Sequence, residues 1–95
     1  MYELRLTVIG PQAAVARFQR RQWLRPLAGR SLEPLELGPC RYVCQFTLDR
    51  IDLPRWQRLA RRWPQLVFLL DYDGHRTKGV AKLHAGAREH CELGY

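Results

Sequence analysis

The sequence predicts an α+β protein in which two helices cover one face of a single antiparallel sheet. Three patterns lead to this prediction. Polar and apolar residues alternate near the start and in the middle of the chain, two segments carry apolar residues at helical spacing, and an apolar run at residues 66–70 lies between turn signals. A chain of 95 residues is expected to form one domain, spanning residues 1–95.

The first strand and the first helix come at the start of the chain. Apolar residues at every second position indicate a strand with one buried face: Leu4, Leu6 and Val8. Pro11 can open a helix, and the alanine-rich residues 12–22 then predict one, with Val15 and Phe18 on its inner side. Trp23 is expected to fold back onto the core.

The next two strands differ in how clearly the sequence marks them. Residues 32–37 predict a short strand that Pro34 restricts to a sheet edge. Residues 41–48 predict a clear strand, because Tyr42, Cys44 and Phe46 alternate with more polar neighbours.

The second half of the chain holds the clearest helix and the most apolar strand. Residues 54–63 carry one apolar helical stripe: Trp56, Leu59, Ala60 and Trp63. Asp52 or Leu53 is expected at the cap, and Pro64 ends the helix. Residues 66–70 predict a buried strand and residues 79–85 a last one. The tail at residues 86–95 has no period and is expected to be irregular, to fray or to add a helical turn.

This element order is β-α-β-β-α-β with one extra strand at the end. Right-handed crossovers then give a ferredoxin-like sandwich in which both helices lie on one face of the sheet. The opposite face, called here the open face, has no helix to cover it and is a candidate binding surface. Its candidate binding residues are Arg5, Thr7, Gln45, Thr47, Lys82 and His84.

The chain is strongly basic, with a net charge of +7. All but two of its sixteen basic residues are arginine. Two explanations fit this bias: an anionic partner, such as nucleic acid or an acidic protein surface, or the codon usage of a GC-rich genome. Seven arginines lie at outward positions of the predicted helices and are the second candidate binding set: Arg17, Arg20, Arg21, Arg55, Arg58, Arg61 and Arg62.

The sequence offers little for catalysis, metal binding or membrane insertion. The acid–base candidates Asp49, Asp71, Asp73 and His75 form no recognisable catalytic motif, so no enzymatic activity is expected. The spacing of Cys40 and Cys44 is too long for one metal site, so we expect no metal and no cofactor. No signal peptide or membrane span is evident, and three cysteines fit a cytoplasmic protein with free thiols.

One set of core and turn residues carries a resemblance. It comprises Phe46-Thr47, Pro54, Leu59-Ala60, Trp63-Pro64, Leu66, Phe68, Leu70, Tyr72-Asp73 and Gly79. This pattern resembles the YubB-like ferredoxin-like domains of small proteins found on bacterial plasmids and phages. The resemblance implies the fold and a mobile-element origin, and it carries over no catalytic residue.

These observations lead to three functional expectations. The first is a non-catalytic binding module, encoded on a mobile element, that docks on a host protein or nucleoprotein complex such as a defence system. The second is direct, sequence-tolerant binding of nucleic acid through the arginine-rich helix faces. The third is a homodimeric module that binds a small ligand, with two open sheet faces packed together.

Overall fold

The computed structural model describes residues 1–21 and 32–94, which form one six-stranded sheet and two helices. The strands are β1 (Tyr2–Ile9), β2 (Glu33–Leu37), β3 (Arg41–Leu48), β4 (Val67–Asp73), β5 (Thr77–His84) and β6 (Ala87–Gly94). The helices are α1 (Gln12–Arg21) and α2 (Leu53–Arg62). The prediction for Trp23 lies outside the described residues.

The sheet has the predicted ferredoxin-like arrangement. Its strand order is β2-β3-β1-β4-β5-β6, and each neighbouring pair is antiparallel. The first four strands in this order, with α1 and α2 as their crossovers, make up the β-α-β-β-α-β unit. Strand β5 is the extra strand that the sequence predicts, and β2 is an exposed edge strand, as Pro34 requires.

The prediction for the tail is wrong. Residues 87–94 form β6, which pairs along its whole length with β5 through a two-residue turn. Both turn residues have positive φ, 54° at Ala85 and 127° at Gly86, as the tight turns that join twisted strands require. All eight residues of β6 are exposed, so the strand has no hydrophobic period that the sequence could show.

One hydrophobic core joins both helices to the same face of the sheet. Phe18 of α1 lies edge-on to Phe68 of β4, with ring centroids 5.4 Å apart, and Trp56 of α2 stacks on Phe46 of β3 at 5.6 Å. Trp56 is only 2% exposed, whereas Trp63 is half-buried and packs against the rim of this core. The strand residues predicted to face the helices are all buried.

The ends of α2 follow the sequence signals. The Asp52 carboxylate accepts a hydrogen bond from the Arg55 backbone N–H at 3.3 Å, which makes Asp52 the N-cap. At the other end, the Trp63 N–H donates to the Ala60 carbonyl and Pro64 stops the helix. Neither described helix is long and apolar enough to span a membrane.

Candidate functional site

The helix layer presents a basic surface. All seven arginines predicted on the helices are exposed, and we call this set the arginine surface: Arg17, Arg20, Arg21, Arg55, Arg58, Arg61 and Arg62. The helical period produces it, because the apolar stripe of each helix packs on the sheet and leaves the remaining positions to solvent. Since both helices lie on the same side of the sheet, the two sets of guanidinium groups share one face of the protein.

A groove forms where the end of α2 meets the flank of α1. Its cavity has a volume of about 380 Å³ and is lined by Arg17, Arg21, Arg62, Trp63, Pro64 and Gln65. Arg17 and Arg21 lie one helical turn apart and therefore project from the same flank of α1. The Arg17 guanidinium donates to the Gln65 amide oxygen at 3.4 Å, and the Trp63 ring is held edge-on by Phe18 at 5.2 Å. Three arginines from two helices thus converge on one concave site.

The charge of the protein is segregated between its two faces. Neither helix contains an aspartate or glutamate, whereas six of the nine carboxylates lie on the open face, where they outnumber its four basic residues, Arg5, Arg41, Lys78 and Lys82: Glu3, Glu33, Glu36, Asp71, Asp73 and Glu89. The seven positive charges of the arginine surface equal the net charge of the whole chain, which is +7. The rest of the chain is therefore neutral, and the positive field is concentrated over the helices.

The open face carries the other predicted binding set, and Thr7 does not fit the prediction. Arg5 and Gln45 are exposed neighbours across the β1–β3 pair, and Lys82 and His84 are exposed on β5. Thr7 is only 8% exposed, because its short side chain lies at the sheet centre between Val43 and Leu69, and it therefore offers a partner almost no surface. Thr47 is half-buried.

A shallow cavity of about 620 Å³ occupies one end of the open face. Its lining holds four acidic side chains, Glu3, Glu33, Asp71 and Asp73, and two basic ones, Arg5 and Lys78. The cavity is therefore mixed in charge, unlike the groove between the helices. Such a lining suits a polar ligand better than a polyanion.

The residues considered for acid–base chemistry are spread over several elements. Asp71 and Asp73 lie on the open face of β4, where they pair in register with Val80 and Lys78 of β5. Asp49 follows β3, and His75 lies in the turn between β4 and β5. The structure does not bring these four into one catalytic group.

Sequence reasoning missed a polar cluster that attaches β6 to β4. The Tyr72 hydroxyl donates to the Glu92 carboxylate and lies 2.5 Å from Nε2 of His90. Burial, followed by the contact with Glu92, raises the pKa of the Tyr72 hydroxyl well above its usual range. The Tyr72 ring reaches these partners across Gly79, the one residue of β5 directly opposite it. The sequence prediction began the last strand at Gly79; the structure places this glycine inside the strand, where a missing side chain permits such a close approach.

The cysteines are free thiols in two environments. Cys40 and Cys91 are exposed, whereas Cys44 is buried in the core. Burial raises the pKa of the Cys44 thiol to about 11. Among residues 1–21 and 32–94, no three histidine, cysteine or acidic side chains are placed to hold a metal ion.

Comparisons with known proteins leave the function to be argued from this geometry. No protein-family model, curated protein sequence or solved structure matches the chain. The resemblance to YubB-like domains therefore stays a prediction.

Proposed function

We propose that the protein is a cytoplasmic, non-catalytic module that binds the sugar–phosphate backbone of nucleic acid through the arginine surface. The observation that carries the proposal is the segregation of charge: seven exposed arginines and no carboxylate lie on the two helices. Guanidinium groups pair with phosphate oxygens through two parallel hydrogen bonds, which favours arginine for this task. Three free thiols are compatible with the reducing cytoplasm.

The groove between the helices supplies the anchor of this interface. Arg17, Arg21 and Arg62 approach one cavity from two helices, so a single phosphate there can be contacted from both sides. The outward-facing Arg20 and Arg58 extend the surface beyond the groove. Contacts of this kind position a backbone without reading bases, so we expect binding that tolerates any sequence.

Docking on a host nucleoprotein complex, the first expectation from the sequence, would use the same surface. The exposed nucleic acid of such a complex presents the same phosphates to the arginines. A mobile-element origin, which the YubB-like resemblance implies, is compatible with that role. A homodimeric small-ligand module is the second candidate, favoured by the mixed cavity of about 620 Å³ on the open face.

Fluorescence anisotropy with short labelled DNA and RNA of unrelated sequence tests the proposal. If about four arginines each neutralise one phosphate, the slope of log K against log salt is about −3 to −4. Affinity then falls about 100-fold between 50 and 200 mM salt. Binding that is absent at low salt, or that does not depend on salt, would contradict the proposal.

A matched pair of variants locates the interface. The double reversal Arg58→Glu/Arg62→Glu should abolish binding at physiological salt. The control Arg5→Glu/Lys82→Glu makes the same change in net charge on the open face and should retain most of the affinity. An equal loss of affinity in both variants would mean that only net charge matters. A larger loss of affinity in Arg5→Glu/Lys82→Glu would assign binding to the open face.

A further inference from the structure

The two edges of the sheet differ in how they are protected against pairing with another strand. Edge strand β2 is short, contains Pro34 and has a register shift between Pro34 and Glu36. Edge strand β6 has eight residues, neither proline nor lysine, and an uninterrupted register with β5. Proline, bulges and charged side chains, lysine above all, are the usual devices that prevent edge-to-edge association. β6 has neither a proline nor a bulge, and its three charged side chains are of both signs, so they can pair across a strand interface instead of repelling.

The turn that begins β6 fixes which backbone groups are available. In a two-residue turn of this type the Ala87 N–H bonds back to the His84 carbonyl, so Ala87 faces β5. Hydrogen-bonding direction alternates along an antiparallel strand. The N–H and C=O groups of Arg88, His90 and Glu92 therefore point away from the sheet.

We propose that β6 pairs antiparallel with β6 of a second copy of this chain, with His90 opposite His90. Only registers that place outward-pointing residues opposite each other can form the hydrogen bonds. In the proposed register Arg88 of each copy faces Glu92 of the other, so that two ion pairs form, each with a carboxylate that also accepts from the Tyr72 hydroxyl of its own copy. Ala87 faces Leu93, and Glu89 faces Cys91.

The neighbouring registers are less favourable. The allowed register next to the proposed one on one side places Glu89 opposite Glu89. On the other side, the second allowed register places Glu92 opposite Glu92. Like charges directly opposite each other destabilise a strand pair. The intervening register, with Cys91 opposite Cys91, leaves Arg88 opposite Gly94 without a charge partner.

The pairing would join the two sheets into one continuous sheet with a two-fold axis perpendicular to it. Because that axis keeps both helix layers on the same side, the two arginine surfaces would form one larger basic face. The dimer does not depend on nucleic-acid binding, and it leaves the open face of each copy uncovered. It also gives the exposed edge strand β6 a second hydrogen-bonding neighbour.

Disulfide trapping tests the register. All variants carry Cys40→Ser, which removes the other exposed thiol. In the proposed register Glu89→Cys faces Cys91 of the second copy in a pair without backbone hydrogen bonds, about 4.5 Å apart between Cα atoms, which suits a disulfide. Mild oxidation should give a covalent dimer of Cys40→Ser/Glu89→Cys and no covalent dimer of Cys40→Ser alone. Efficient cross-linking of Cys40→Ser through Cys91 would overturn the register.

Sedimentation equilibrium tests the dimer itself without cross-linking. The wild-type protein should reach a mass of twice 11.2 kDa as its concentration rises. Arg88→Glu should weaken association about tenfold, because both ion pairs become repulsive, whereas Arg88→Lys, which keeps the positive charge and leaves the Tyr72–Glu92 contact intact, should not. The control Arg50→Glu changes an exposed loop arginine and should have little effect. A wild-type protein that stays monomeric at all concentrations would overturn the proposal. A dimer that persists in Arg88→Glu but dissociates in Lys82→Glu, a change in the open face, would also overturn it.

Discussion

The close approach of Tyr72 to Gly79 gives a prediction whose sign depends on the neighbouring side chain. A Cβ atom added at Gly79 would lie 2.8 Å from the ring carbon Cε1 of Tyr72 and closer still to Cζ. These separations are far inside van der Waals contact, so the ring would have to leave its place. The phenol would then no longer reach Glu92 and His90.

Two opposing effects determine the stability of Gly79→Ala. Glycine inside a strand costs about 0.5–1 kcal/mol relative to alanine, which favours the substitution. Displacing a packed ring costs about 1–3 kcal/mol, and breaking its hydrogen bond costs about 0.5–1.5 kcal/mol more. We therefore expect Gly79→Ala to lower the free energy of unfolding by about 1–3 kcal/mol in the wild-type background.

The same substitution should be stabilising once the ring is shortened. Tyr72→Leu keeps an apolar side chain but lacks the outer ring atoms that meet the new Cβ. In that background Gly79→Ala should raise the free energy of unfolding by about 0.5–1 kcal/mol. Urea denaturation of the four proteins of this double-mutant cycle measures the coupling. Equal destabilisation in both backgrounds would refute the explanation by steric contact.

Three further predictions concern the core, the thiols and the last turn. Trp56→Ala should cost about 3–5 kcal/mol in urea denaturation, whereas Trp63→Ala should cost clearly less because Trp63 is half-buried; equal costs would mean that the burial of the two rings is misassigned. With a thiol reagent at pH 8, Cys40 and Cys91 should react quickly, and Cys44 only on unfolding, since its pKa is about 11; three fast thiols would contradict its burial. Ala85→Gly should raise the free energy of unfolding by about 0.5–1 kcal/mol, because Ala85 has φ of 54°; a decrease in stability would show that the turn does not strain alanine.

The sequence was sufficient to predict the fold where one face of an element is buried. The alternation in β1 and β3 and the helical stripe of α2 each record such a face, and the structure has all three elements. Strand β6 was missed because every residue in it is exposed, so burial left no pattern. Its only signal was the Ala85-Gly86 turn, which lacks the asparagine or aspartate that usually marks such a turn.

The candidate site was predicted in composition but not in shape. Helical spacing placed the arginines outward, and the structure exposes all seven. Their convergence with Trp63 and Gln65 on one groove depends on how α1 and α2 pack, which no local pattern contains. Thr7 was assigned to the open binding face by strand alternation alone, and alternation cannot show that its neighbours bury it.

The salt dependence of nucleic-acid binding by arginine-to-glutamine variants tests the central claim most directly. Glutamine removes the charge without adding repulsion, so the removal of one arginine–phosphate pair should reduce the slope of log K against log salt by about 1. Arg58→Gln/Arg62→Gln should therefore reduce the magnitude of the slope by about 2, and Arg5→Gln/Lys82→Gln should leave it unchanged. A slope that falls only with the open-face pair would contradict the assignment of binding to the helix layer.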